Sequence, residues 1–264
     1  MPCLADAWPN WREEEQYAWL LDAERAAFAW EWMRRSDGYR KAFEEARASE
    51  EQSVQERSAS LWGLHRFEPP QLRAAEARPI WRREPYPYVL QACAEREGPT
   101  ADRLDLGRFA ALATLYRSSE GVEHLLLSDG MRTIRVDVLS GSLQTGPARL
   151  HYRLAGLDDI DEPLMVLRRL AALWRTGRFS PALHRHEVRA GRWIAMLRAG
   201  DALQSGATQR EIAETLVSRD AAEPRWRISA PTARSRAQRL VRASRDMAAG
   251  GYRSLLLRPS DGRG

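Results

Sequence analysis

The hydrophobic period of this chain changes twice. From Asn10 to about residue 51 the large apolar side chains recur at helical spacing. Around residues 122–153 they alternate one by one, and after Gly156 the helical spacing returns. A helical stripe does not settle as a strand, nor an alternating one as a helix. The chain is therefore expected to be α+β and mainly helical. It should have an N-terminal helical domain, a small antiparallel β meander, and a C-terminal helical domain. Expected bounds are residues 1–58, 59–155 and 156–264. With 264 residues, 44% of them hydrophobic, a substantial core is available.

Asn10, with Glu13 three residues on, reads as the cap of a first helix, "WREEEQYAWLLD". A second helix follows in "AERAAFAWEWMRR", and Ser36 precedes a third, "DGYRKAFEEARASEE". Trp8, Trp11, Trp19, Trp30 and Trp32 crowd into this small region. They form either a compact aromatic core or a patch for a partner. The polar run "RASEEQSVQERSAS" reads as an exposed helix tail or a linker.

The following proline- and aromatic-rich stretch predicts irregular packed structure with short elements at most. In "MRTIRVDVL", Ile134, Val136 and Val138 alternate with Arg135 and Asp137, the mark of a half-buried strand. "VEHLLL" precedes it across Ser128-Asp129-Gly130, a hairpin signal, and "ARLHYRL" supplies a third strand. Beyond Gly156, "DEPLMVLRRLAALWRTG" has acids and Pro163 at its start and Gly177 past its end, as a helix should. A further helix, "HEVRAGRWIAMLRAGDALQSG", closes at Gly206.

The stretch "TQREIAETLVSRDAAEPRWRISAPTARSRAQRL" then pairs two helices. In the first, Thr208 and Glu211 form a capping box, and Ile212, Ala213, Leu216 and Val217 make one apolar face. In the second, Ala233, Ala237, Leu240, Val241, Ser244, Met247 and Ala248 make a narrow face of mostly small residues. Ser229 or Thr232 is placed to cap it, with Pro231 preset for helix entry. Arg234, Ser235, Arg236, Gln238 and Arg239 project elsewhere and suit base edges, while Arg242 and Arg245 suit phosphates. Gln209 and Arg210 suit the backbone at the entry of the first helix. The connection is far longer than the 3–4 residues of an ordinary helix-turn-helix. In it Trp226 and Ile228 pin the loop, and Arg225 and Arg227 reach for phosphate. The bland alternative is a solvated, arginine-rich surface helix.

Charge favours the sharper reading. Residues 1–60 carry 8 basic and 13 acidic side chains, net −5; residues 185–264 carry 16 and 8, net +8. Codon preference explains why arginine replaces lysine, but not why charge gathers at one end. A basic tail suits a polyanion, and double-stranded DNA is the expected partner. The acidic head is expected to pack on the more apolar side of the tail, near Trp193 and Tyr252, and to leave the arginine face open.

Other chemistries find little support. "LHRHEV" places His184, His186 and Glu187 together, but a zinc-protease helix needs histidine at position 190, which is Ala190. His65, His124 and His151 show no ligand spacing, so no metal is expected. Asp158, Asp159, Asp161 and Glu162 read as acids before a helix N-terminus. "SGSLQTG" lacks the lysine of a phosphate loop, and there is no nucleophile elbow. No enzyme and no cofactor is expected. Cys3 and Cys93 build no disulfide framework. No apolar run approaches the roughly 18 residues of a membrane span, and no secretory signal is visible. A cytoplasmic protein with no membrane partner is expected.

"GATQREIAETL" with "RWRISAPTARSRAQRLVRASRDMAAGGYRSLL" resembles the extended-turn helix-turn-helix domain of FseA-type and RovC-type transcription activators of proteobacteria. "FAWEWMRRSDGYRKAF" resembles the small helical domain that precedes it in FseA-type proteins. The resemblance implies an activator of genes of integrative and conjugative elements, with one side of the C-terminal domain on DNA and the other on the N-terminal domain. It also implies that an antiactivator competes for that contact, and RNA polymerase is a further partner for the N-terminal domain. Relatives that act as antiactivators lack the head and have an acidic C-terminal domain; this chain has the head and a basic one. The alternative reading is a regulator that docks on another protein without touching DNA, marked by burial of Arg239 and Arg242.

Overall fold

A computed structural model describes residues 8–97, 99–184, 186–218 and 231–257. Three helices come first: α1 (Arg25–Arg35), α2 (Asp37–Arg47) and α3 (Gln52–Ser60). Six strands follow: β1 (Val89–Glu95), β2 (Arg103–Leu104), β3 (Ala113–Arg117), β4 (Glu123–Ser128), β5 (Thr133–Ser140) and β6 (Ala148–Arg153). Then come α4 (Asp161–Thr176), α5 (Ala190–Gln204), α6 (Gln209–Leu216) and α7 (Pro231–Ala248). The chain forms two compact units, Met1–Ser36 with His186–Ser254, and Asp37–Arg185 with Leu255–Gly264.

The second unit is built on the sheet. The expected β4–β5 hairpin is present, with Asp129 Oδ1 accepting from the backbone N–H groups of Met131 (3.0 Å) and Arg132 (2.8 Å) to tie its turn. The expected three-strand antiparallel meander is not. The sheet has six strands in the order β2-β6-β1-β5-β4-β3, and β1 lies parallel to β5. The third expected strand, β6, pairs with β1 and β2 instead of β5. β1 eludes sequence reading because Val89, Leu90 and Ala92 are all buried, so the strand has no alternation to announce it.

One sheet face packs Leu90, Leu125, Leu127, Ile134, Val136 and Val138 against Val166, Leu170 and Leu173 of α4. α4 begins with Asp161 and Glu162, and Gly177 ends it at φ 70°, a left-handed cap conformation that glycine adopts without penalty. The strand β5 is not half-buried as expected. Arg135 and Asp137 are also inaccessible, because the segment before β1 covers that face: Arg135 Nη2 donates to the Trp81 carbonyl at 3.2 Å. The polar run expected as a tail or linker is partly helical, since α3 occupies Gln52–Ser60. It has little apolar stripe and is anchored by polar contacts, Gln52 donating to the Arg117 carbonyl (2.9 Å) and Glu56 accepting from Ser119 N–H (2.9 Å).

In the first unit the head residues pack on the C-terminal helices. The first predicted helix is a 3-10 helix, Glu14–Asp22, rather than an α-helix. Asn10 Oδ1 accepts from Arg12 N–H at 3.1 Å and its amide reaches Glu13 at 2.6 Å, so the expected reciprocal box is absent. Trp11, Trp30 and Trp32 are buried and Trp8 and Trp19 half-buried, which makes the tryptophan cluster core. Phe28 meets Trp193 edge-on at 5.1 Å, and Arg25 donates to the Ser254 carbonyl at 3.0 Å.

Polar contacts fix the same seam. Asp201 on α5 accepts from Tyr17 Oη (2.6 Å) and from Arg35 Nε (2.6 Å) and Nη2 (3.0 Å). Arg198 donates to the Trp11 carbonyl (2.9 Å) and pairs with Glu14 (3.0 Å), and Arg12 pairs with Glu211 (3.0 Å). The head thus contributes cations as well as anions. Specific pairs hold it, more than attraction between net charges.

Candidate nucleic-acid interface

The capping box predicted for α6 is present. Thr208 Oγ1 accepts from Glu211 N–H at 3.3 Å, and Thr208 N–H donates back to Glu211 Oε2 at 2.8 Å. The Thr208 N–H, then the Thr208 hydroxyl donating to the same oxygen at 2.9 Å, with Arg12 beside them, hold the Glu211 carboxyl below its ordinary value. Ile212 and Ala213 are fully buried, and Leu216 and Val217 half-buried, as the apolar stripe requires.

Ile212 sits with Val241 of α7 in a cluster that includes Ala199, Ala202 and Trp11, and Ala213 packs on Ala237. Small side chains allow this close approach. Gly200 on α5 extends it: a Cβ there would stand 3.1 Å from Ser244 Oγ and 3.1 Å from the Trp32 ring. Glycine is needed here for space, so that α5 can lie against both α7 and α1.

The inward face of α7 is Ala233, Ala237, Val241, Ser244 and Met247, with Leu240 half-buried. Ala248, expected on that face, is exposed at the helix end. Pro231 takes the first helical position, so Thr232 lies inside the helix; the alternative cap, Ser229, lies outside the described residues. Arg234, Ser235, Arg236, Gln238, Arg239, Arg242 and Arg245 are all exposed. Among the described residues, no carboxylate lies within 4.0 Å of the five arginines of that set. Arg210 is exposed at the start of α6 and Gln209 half-buried. Arg225, Arg227, Trp226 and Ile228 lie outside the described residues.

The result is an 18-residue helix seated through small side chains, with a cationic outer side that has no counterion among the described residues. Its length, about 27 Å at 1.5 Å per residue, suits a major groove. Unneutralised arginines on one convex element attract a polyanion and repel cations.

One polar cluster escaped the sequence reading. The sheet brings His124, Asp137 and Arg135 to one face, with His65 stacked on His124. Burial first, then His124 and Arg135, lowers the His65 pKa to about 3, so the ring is neutral. Burial alone would raise the Asp137 carboxyl, but Arg135 and His124 outweigh it and hold it well below the usual carboxylate range. His65 and His124 are remote in sequence, and spacing gives no hint of the contact. His184 and His186 are not part of this cluster.

Comparison with known proteins agrees with the cationic helix. Residues 153–257 match the family model described as the T6SS transcription factor DNA-binding domain, of RovC type. Residues 10–67 match that of the proteobacterial transcriptional regulator-like domain. No curated protein matches the chain. The chain therefore carries a DNA-binding domain of transcription factors and a transcriptional-regulator domain. Among the described residues, no helix is long and apolar enough to cross a membrane.

Proposed function

We propose that this chain is a sequence-specific transcription activator that lays α7 in the major groove of double-stranded DNA. Its targets are horizontal-transfer genes of an integrative and conjugative element. Arg234, Ser235, Arg236, Gln238 and Arg239 read base edges. Arg242 and Arg245, with Arg225 and Arg227 of the connection, hold phosphates, and Gln209 and Arg210 meet the backbone beside α6. The N-terminal domain is the contact for RNA polymerase or for an antiactivator in the cytoplasm.

The observation that carries this reading is the outer side of α7: arginine and polar side chains, all exposed, without a described carboxylate on the arginines. The exposure of Arg239 and Arg242 weighs against docking on a protein through a neutral face. The test is footprinting of the full chain on DNA upstream of neighbouring transfer genes, across a salt series. A protected site whose affinity falls steeply with salt is expected. Binding that ignores both sequence and salt would sink the proposal.

A further inference from the structure

The DNA-binding reading leaves the central sheet without chemistry of its own. Yet His124 on β4 and Asp137 on β5 are direct cross-strand partners, with Nδ1 and Oδ1 2.7 Å apart. Because Asp137 is ionised, the His124 Nδ1–H donates. His65, from the segment before β1, stacks on His124 with ring centroids 3.6 Å apart and planes 26° apart. One nitrogen of each imidazole and one Asp137 oxygen all lie within 4.8 Å of one another. His65 Nε2 is buried and has no hydrogen-bond partner. Buried polar atoms are nearly always paired, and an orphan points to a missing water or ion. Were the position for packing alone, an apolar ring would fill it without stranding a polar atom.

We propose that His65, His124 and Asp137 bind a divalent transition-metal ion of the Zn2+ class. Two imidazole nitrogens and one carboxylate oxygen, with a fourth position for water, form a recognised zinc ligand set. Imidazole donors favour Zn2+, Ni2+ and Cu2+, whereas Mg2+ and Ca2+ require mostly oxygen. Tetrahedral ligands at 2.0–2.1 Å stand about 3.3 Å from one another. The widest pair would thus close by at most roughly 1.5 Å, and the His124–Asp137 pair would open slightly. One ring would turn out of the stack, because imidazole lone pairs lie in the ring plane and planes 26° apart do not converge on one ion. The ion takes the place of the proton between Nδ1 and Oδ1, and the His124 ring, a neutral ligand, carries its one proton on Nε2 instead. Arg135 Nη2, 2.9 Å from the same oxygen, orients the carboxylate while its charge opposes the ion. The site is therefore weaker than a closed thiolate site. Among the described residues, the exposed pairs His151–Glu95 and His186–Asp22 each bring two such groups together and no third.

The full chain, stripped by chelator, is titrated with Co2+ while its visible absorption and melting temperature are followed, and then with Zn2+. One equivalent of Co2+ should bind with a tetrahedral-type spectrum, raise the melting temperature, and be displaced by Zn2+. His65→Gln and His65→Phe should both lose the spectrum. The second keeps the ring stack, so one folded variant, judged by circular dichroism, is enough. His151→Gln should retain the signal. Absence of a spectrum and of a thermal shift in the unmodified chain would overturn the proposal and leave a buried water at His65 Nε2. Equal binding by a folded His65 variant would overturn it in favour of surface histidines.

Discussion

Arg35 on α1 and Asp201 on α5 meet through two parallel hydrogen bonds, Nε to Oδ1 at 2.6 Å and Nη2 to Oδ2 at 3.0 Å, with side chains only 3% and 4% exposed. Tyr17 donates to the same carboxylate, and Glu31 pairs with the same guanidinium. Burial alone would discharge Arg35, but Asp201 and Glu31 hold it charged. Burial first, then Asp201, raises the Tyr17 hydroxyl above its ordinary value, so it stays a donor. Head and tail are thus joined by an ion network that works only when complete.

Removing Asp201 leaves Arg35 to share the Glu31 carboxylate with Arg34 and takes the carboxylate acceptor from Tyr17; breaking a buried ion pair costs about 3–5 kcal/mol. Asp201→Ala should therefore lower the urea midpoint severely. Glu14→Ala, at the solvent end of the Arg198 contact, should cost about 0–1 kcal/mol. Equal effects in urea unfolding would show that Asp201 does not hold the head.

Arginines on α7 should separate by role. Arg239→Ala should cost roughly 1–3 kcal/mol on the cognate site and relax preference at one base position. Arg242→Ala should weaken all sequences alike and reduce the salt slope by about 0.9. Fluorescence anisotropy across a salt series with matched and mutated operators distinguishes the two. Identical profiles for both variants would contradict the assignment of base and phosphate contacts.

The local features of the fold were legible because their causes are local. Thr208 and Glu211 lie three residues apart, and the Asp129 turn closes on its own neighbours. The inward face of α7 follows from helical spacing alone. What could not be read depends on chain that arrives from elsewhere. Alternation put Arg135 and Asp137 on an open face, and the segment before β1, with the Trp81 carbonyl and His65, closes it. β1 carries no period because both its faces are covered. The outer side of α7 was legible for the reverse reason: nothing described covers it.

The cap of α6 offers a local test. Thr208→Ala removes the acceptor for Glu211 N–H and should cost about 0.5–2 kcal/mol, typically ~1. The Glu211 carboxyl is held below its ordinary value first by the Thr208 backbone N–H, which alanine keeps, and then by the Thr208 hydroxyl, which it loses, so it should titrate somewhat higher in the variant. Carboxyl NMR titration of Glu211, with Glu214 as internal reference, reads the change. An unmoved Glu211 would show that the backbone N–H of residue 208 and Arg12, and not the Thr208 hydroxyl, set its acidity.

Two glycines on α5 should respond in opposite directions to the same change. Gly191 is exposed near the helix start, with nothing within 4 Å of an added Cβ. Gly191→Ala should stabilise by about 0.4–1 kcal/mol, because alanine limits the unfolded chain and favours helix. Gly200→Ala gains the same propensity, but its Cβ meets Ser244 Oγ at 3.1 Å and the Trp32 ring at 3.1–3.2 Å. The serine hydroxyl can rotate away. The Trp32 ring is 3% exposed in the seam between α1 and α5, so a shift of it disturbs buried neighbours. Overpacking of this kind costs typically 1–3 kcal/mol, which outweighs the helix gain, so Gly200→Ala should lower the melting temperature while Gly191→Ala raises it. Because α7 rests on the same contact, Gly200→Ala should also weaken DNA binding without altering any arginine. A stabilised Gly200→Ala variant with unchanged DNA affinity would show that the seam has slack and that α7 does not depend on this approach.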